Sequence, residues 1–195
     1  MAVMQPPTIA LFAKYPAAGA AKTRLIPALG PEGAAQVHRL LVERTIATIR
    51  HSGLPFAVYF SGAPREDFAA WLGDDVALVE QGEGDLGDRL TRVAAPAILL
   101  GADIPGLTPR HLQQAASALD RSDAVVGPAQ DGGYYLLGFR QRLPFLFTDM
   151  EWGTASVLDH TLARLKAQNI AFTLLDMLAD CDRPADLAHY PNLLP

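Results

Sequence analysis

The sequence predicts an α/β protein built on a mixed, mostly parallel sheet. Three observations predict it. Short apolar runs alternate with helical stretches along the whole chain. Loops rich in glycine and charge follow several of the apolar runs, where open α/β sheets collect ligands. Two strand-like runs, near Val126 and Tyr134, lie too close together for a crossover helix and predict an antiparallel excursion. No repeat, low-complexity tract or linker divides the 195 residues, half of them hydrophobic and 19% charged, so one domain is expected over 1–195.

In chain order, Thr8–Ala13 reads as a buried strand. Pro31–His51 carries Val37, Leu40, Leu41, Ile46 and Ile49 at helical spacing and stops at Gly53. Phe56–Phe60 is a second strand, Pro64–Leu72 a short helix, and Val76–Val79 a third strand. Ala97–Leu100 is a fourth strand. Thr108 as N-cap and Pro109 at the first helical position open a helix to Leu119. Ala124–Val126 and Tyr134–Leu137 are the fifth and sixth strands. Thr154–Gln168 is a helix, Ala171–Leu175 a last strand, and Asp186–Tyr190 a short terminal helix.

Composition narrows the function classes. A net charge of −5 gives no global field for nucleic acid. No apolar run approaches the roughly 20 residues of a membrane span. The N-terminus lacks a basic and apolar leader, and Cys181 is the sole cysteine, so a cytoplasmic, reducing setting is expected. Cys181 itself reads as a small buried apolar residue. The histidines, 38, 51, 111, 160 and 189, lack zinc-site spacing and read as surface or helix residues.

Chemistry-bearing residues lie in the loops after the strands. Lys14, Lys22 and Arg24, with Gly19 and Thr23, follow the first strand. Gly19 permits close backbone approach and the cations offset negative charge, as a polyphosphate requires; the alternative is a solvated basic loop. Ala21 precedes Lys22 where a Walker A motif needs glycine, and no G-x-G-x-x-G is present. The segment Gln81-Gly82-Glu83-Gly84-Asp85-Leu86-Gly87-Asp88-Arg89 either approaches a ligand or makes a tight turn. Asp103, emerging from the fourth strand, is placed to hold Mg²⁺ or Mn²⁺, or else caps a turn. Asp131, before Gly132, Gly133 and Tyr134, either forms a turn or helps shape a sugar or acceptor pocket. Asp180 and Asp182 can converge on a metal, although Asp182 also reads as a helix N-cap.

Taken together, KYPAAGAAKTRL, QGEGDLGDRL, GADIPGL, GPAQDGGYYLLG and EWGT resemble, in order and over nearly the whole chain, the DUF2064 family. That family is also described as selenodomain-associated or arsenosugar-biosynthesis-type glycosyltransferases. It sits among the nucleotide-diphospho-sugar transferases of the GT-A fold, akin to 2-phospholactate and molybdenum-cofactor nucleotidyltransferases. The resemblance implies a Rossmann-like three-layer α/β/α sandwich. It implies that Lys14, Lys22 and Arg24 face nucleotide phosphates and that Gly82 to Arg89 line the nucleotide pocket. Asp131 and Tyr134 would face the sugar or acceptor, with Trp152 and Thr154 of the EWGT segment on that side. Asp103 would bind the metal, with Asp180 and Asp182 completing its shell. Gly153 stands where the family carries serine. Only Leu90–Pro96 separates the glycine-rich segment from the fourth strand, where the family has a fuller helix.

The expected function is metal-dependent transfer from a nucleotide-linked donor to a small-molecule acceptor. The first form is glycosyl transfer from a nucleoside-diphosphate sugar, with Lys22 and Arg24 stabilising the leaving diphosphate and Asp131 orienting the acceptor. The second is nucleotidyl transfer from an NTP to a phosphorylated acceptor, releasing pyrophosphate. The third is a nucleotide-binding module without catalysis.

Overall fold

The computed structural model describes residues 5–194. Seven strands form one sheet: β1 (Thr8–Lys14), β2 (Phe56–Ser61), β3 (Leu78–Glu80), β4 (Ala97–Leu100), β5 (Ala124–Pro128), β6 (Tyr134–Phe139) and β7 (Phe172–Leu174). Their order is β3-β2-β1-β4-β6-β5-β7. Only β6 runs against its neighbours, pairing antiparallel with both β4 and β5. The expected excursion is therefore a single reversed strand, and the carboxyl ends of β1, β2, β3 and β4 share one edge.

Strand alternation divides the core between the two faces. Ile9, Leu11, Ile98 and Leu100 pack into one cluster with Ile46 and Ile49 of α1 (Ile26–Ser52), Phe68 of α2 (Arg65–Leu72) and Leu112 of α4 (Pro109–Leu119). Ala10, Ala97, Leu99 and Leu137 pack into another with Leu90 of α3 (Leu86–Thr91) and Leu165 of α5 (Val157–Ala167). The result is the expected three-layer α/β/α sandwich. A third cluster seats Cys181, Leu187 of α6 (Pro184–Leu187) and Leu193 on Leu25, Val37 and Leu41. No helix among the described residues is long and apolar enough to cross a membrane.

Some boundaries differ from the sequence reading, each for a local reason. Helix α1 begins at Ile26, but Gly30 interrupts it with φ 73° and ψ 170°, so the regular helix starts at Pro31 as the sequence suggests. The third strand starts at Leu78, because Val76 is still held in a turn by Gly73. Helix α5 begins at Val157; Thr154 instead donates its hydroxyl to the Glu151 carbonyl. Helix α3 was not anticipated. It nucleates inside the glycine-rich segment because Asp85 caps the Asp88 amide and the Asp88 carboxylate accepts from the Asp85 amide. The short Leu90–Pro96 stretch thus follows a helix already made. The terminal helix is Pro184–Leu187 with Arg183, not Asp182, at its N-cap; the Asp186 carboxylate accepts from the Asp182 and Arg183 amides at 2.9 and 2.7 Å.

Candidate active site at the carboxyl edge of the sheet

Lys14 ends β1, and its ammonium closes the following loop by donating to the Ala20 carbonyl at 2.9 Å. The loop delivers Lys22 in a left-handed conformation (φ 47°, ψ 44°), directly before a 3-10 turn, Thr23–Leu25, anchored by buried Leu25. Beneath it lies His38 of α1, 8% exposed, whose Nε2–H donates to the Lys14 carbonyl at 2.9 Å. A carbonyl can only accept, which fixes the proton on Nε2. Burial first, then Lys22 and Lys14, hold His38 below its usual value, against the opposing pull of that hydrogen bond and Asp103.

Asp103 follows β4. The late acidic segment reaches it by a path along β5: the Leu175 amide donates to Val126, Leu178 to Pro128, and Cys181 to the Asp103 carbonyl at 2.9 Å. This last bond fixes two distant acidic elements side by side. Their carboxylates meet at Lys22: its Nζ lies 2.5 Å from Asp103 Oδ1 and 2.6 Å from Asp182 Oδ1, and donates to the Cys181 carbonyl at 2.8 Å. Arg24 Nη1 reaches Asp182 Oδ2 at 3.1 Å. The Lys22 side chain is 6% exposed. Burial opposes its charge, but Asp103 and Asp182 more than offset this and hold the ammonium above the usual lysine range. Lys14, Lys22, Thr23, Arg24, His38, Asp103 and Asp182 border one open cavity of about 360 Å³.

A second cavity, of about 200 Å³, lies beside Leu100 and Gly101, just before Asp103. Its walls are Phe12, Leu86, Leu90, Tyr134, Tyr135 and Trp152, with Asp131, Gly133 and Thr154 also bordering it. Asp131 makes the turn the sequence allows, its Oδ1 accepting from the Gly133 amide at 2.8 Å. Gly132 (φ 88°) passes so close to the Ala155 backbone that no side chain fits. Burial raises the Tyr134 phenol, and raises Tyr135 to about 12. The Trp152 indole N–H is buried without a partner. Burial first, then the charges of Asp131, Asp182 and Asp186, hold the Asp180 carboxyl above the usual range.

Two of the three aspartates expected around a metal meet at one side chain, Lys22. Asp103 and Asp182 converge, whereas Asp180 is not among the side chains reaching Lys22. No three His, Cys, Asp or Glu side chains among the described residues gather around one point. Of the glycine-rich segment, Leu86 borders the second cavity. Gln81, Gly82, Gly84, Asp85, Gly87 and Arg89 border neither cavity. Buried Gln81 donates to the Tyr59 carbonyl at 2.8 Å, and Arg89 donates to Gly84 and Gln81. Gly87 packs against the Phe147 carbonyl, where a Cβ would come within 2.5 Å. Gly19 is exposed, with φ 77° and open space around it. Cys181 is wholly buried, and burial pushes its thiol up to about 11, as suits a core residue rather than a nucleophile. Sequence reasoning missed His38 at the cavity wall. Its signal was a polar residue on the buried face that carries Ala34, Leu41 and Thr45.

Similarity to known proteins agrees with this architecture. A crystal structure from Desulfovibrio desulfuricans G20, of a provisionally assigned nucleotide-diphospho-sugar transferase, matches with a TM-score of 0.88 and 30% identity, over 97% of this chain and 88% of that one. CMP:2-keto-3-deoxy-manno-octonic acid synthetase, solved with CTP, matches at TM-score 0.58 and 15% identity, over 97% of this chain and 98% of the other. Rv0371c from Mycobacterium tuberculosis H37Rv, solved with manganese, matches at 0.54 and 19%, with the same shares covered. Comparison with the curated proteins returned no match. The fold is that of the nucleotide-diphospho-sugar transferases and nucleotidyltransferases. Within it, the chain belongs to the family described as "uncharacterized protein conserved in bacteria (DUF2064)", whose model matches residues 45–154.

Proposed function

We propose that the protein is a transferase acting on a nucleotide-linked donor, with glycosyl transfer from a nucleoside-diphosphate sugar as its reaction. One observation carries the reading: the cations after β1 and the carboxylates Asp103 and Asp182 meet around one cavity at the carboxyl edge of the sheet, next to an apolar chamber. Such an edge is where open α/β sheets bind ligands. The provisionally assigned nucleotide-diphospho-sugar transferase from D. desulfuricans and the synthetase solved with CTP lend the class its support.

In this reading Lys14, Lys22 and Arg24 bind the donor's diphosphate and stabilise the charge that grows on it as the glycosyl bond breaks. Asp103 and Asp182 would hold Mg²⁺ or Mn²⁺; two hard oxygen donors from separate elements suit either ion. The ion would supply further charge neutralisation at the diphosphate. Asp131 orients the acceptor at the chamber's rim, and Tyr134 and Trp152 offer apolar ring faces.

The chamber favours glycosyl over nucleotidyl transfer. A nucleotidyltransferase of the alternative kind must seat a phosphorylated acceptor. Among the described residues no Lys, Arg or His borders this chamber, and the one charged residue lining it is Asp131. An anion there would be repelled and left unpaired.

A product assay separates the readings. NDP release from a nucleotide sugar supports glycosyl transfer; pyrophosphate release from NTP plus acceptor overturns it. A thermal-shift panel of nucleotides and nucleotide sugars, with and without Mg²⁺ or Mn²⁺, finds the donor. A ligand at a hundred times its Kd stabilises by about 2.7 kcal/mol. Stabilisation without turnover of any donor supports the non-catalytic module. Asp103→Asn is expected to remove the metal-dependent part of the shift. A metal response unchanged in that variant would argue against Asp103 as a ligand.

A further inference from the structure

We propose that the Lys22 ammonium is the built-in counter-ion of the Asp103–Asp182 pair, and that a divalent ion reaches this pair only when Lys22 leaves it. The ammonium has three N–H donors, and three oxygens meet it: Asp103 Oδ1, Asp182 Oδ1 and the Cys181 carbonyl. Its hydrogen-bonding capacity is therefore filled by the same carboxylates a metal would use.

The arrangement is held from both sides. The Cys181 amide bonds the Asp103 carbonyl, fixing the spacing of the two acidic elements. The wholly buried Cys181 side chain anchors that segment in the core. On the other side, the Lys22 backbone sits in the left-handed region, directly before the 3-10 turn anchored by buried Leu25.

Exclusion follows from distance. A magnesium ion lies about 2.1 Å from its oxygen ligands. The Lys22 nitrogen already stands 2.5 and 2.6 Å from Oδ1 of Asp103 and Oδ1 of Asp182, so nitrogen and metal cannot both sit between these two oxygens, and Arg24 takes the second oxygen of Asp182. The cavity that Lys22 borders is open to solvent along Lys14 and Arg24, so an anion can enter beside the ammonium. A polyphosphate bound there gives the ammonium a new partner and frees the carboxylates. Metal binding is thereby coupled to anion binding through one side chain, a linkage that acts equally in both directions.

The test is Mn²⁺ binding to the full chain without nucleotide, followed by loss of the free-ion EPR signal. It needs no turnover, so its failure is distinct from failure of the transferase reading. The wild-type protein and Asp103→Asn are expected to bind Mn²⁺ equally weakly, since Lys22 closes the pair. Lys22→Met, which keeps the stem and removes the charge, is expected to bind about tenfold more tightly or better, and to lose that gain in Lys22→Met/Asp103→Asn. A wild-type affinity that Asp103→Asn abolishes overturns the proposal. So does a Lys22→Met affinity no tighter than wild type, or a gain that survives in the double variant. Should Lys22→Met fail to fold, Lys22→Gln, which also removes the charge, takes its place with the same expected and overturning results.

Discussion

His38 shows what one side chain contributes. Burial disfavours its charge and holds its pKa down, and its Nε2–H ties α1 to the end of β1. Its pKa lies below the ordinary 6.5, so below that pH the unfolded chain binds the extra proton more readily. Its contribution to stability is thus complete above pH 6.5 and is lost as pH falls through the lowered folded value. His38→Gln retains an amide donor but cannot titrate. Urea unfolding at pH 7.5 and 5.5 should show a smaller pH-dependent loss for His38→Gln than for wild type. An equal loss in both would mean that His38 does not titrate on unfolding.

At the scale of the element, the entry to α1 depends on Gly30. With φ 73° and ψ 170° it occupies a region essentially confined to glycine. A Cβ there would meet nothing within 4 Å, so Gly30→Ala tests backbone strain without a clash. The expected cost is about 1–3 kcal/mol by urea denaturation, with Pro31→Ala costing less than about 1 kcal/mol. Equal effects would mean that the break in α1 can move. The break serves the site. It separates the turn that carries Thr23 and Arg24 from the long regular helix that carries His38, allowing each its own direction.

For the whole molecule, the C-terminal segment is both core and site. Cys181, Leu187 and Leu193 cover Leu25, Val37 and Leu41, and Asp182 reaches Lys22 and Arg24 from the same stretch. Burying a leucine is worth about 1.5–3 kcal/mol. A chain ending at Asp180 is expected to unfold at lower temperature in calorimetry and to lose the Mg²⁺-dependent part of pyrophosphate binding in titration calorimetry. Retained Mg²⁺-dependent binding with lowered stability would assign the segment to the core alone.

Several features were legible in sequence because they depend on neighbouring residues. Apolar runs gave β4 its bounds, and Thr108 with Pro109 marked the start of α4. The closeness of the Val126 and Tyr134 runs announced the reversed strand. The basic loop, Asp103 and Asp182 were recognised as candidates from residue type and their position after strands. Other features had no such signal. That Asp182, rather than Asp180, faces Lys22 depends on the Cys181–Asp103 backbone bond across the fold. That Gln81 and Arg89 spend their hydrogen bonds on backbone and on each other depends on how β3 lies beside β2, with β1 next in the sheet. By itself the sequence determined the α/β alternation and the stock of charges at the carboxyl edge, because both follow from local periodicity and turn chemistry. Only the tertiary structure decided which charges meet, because contacts between residues some 160 positions apart are set by sheet order and core packing.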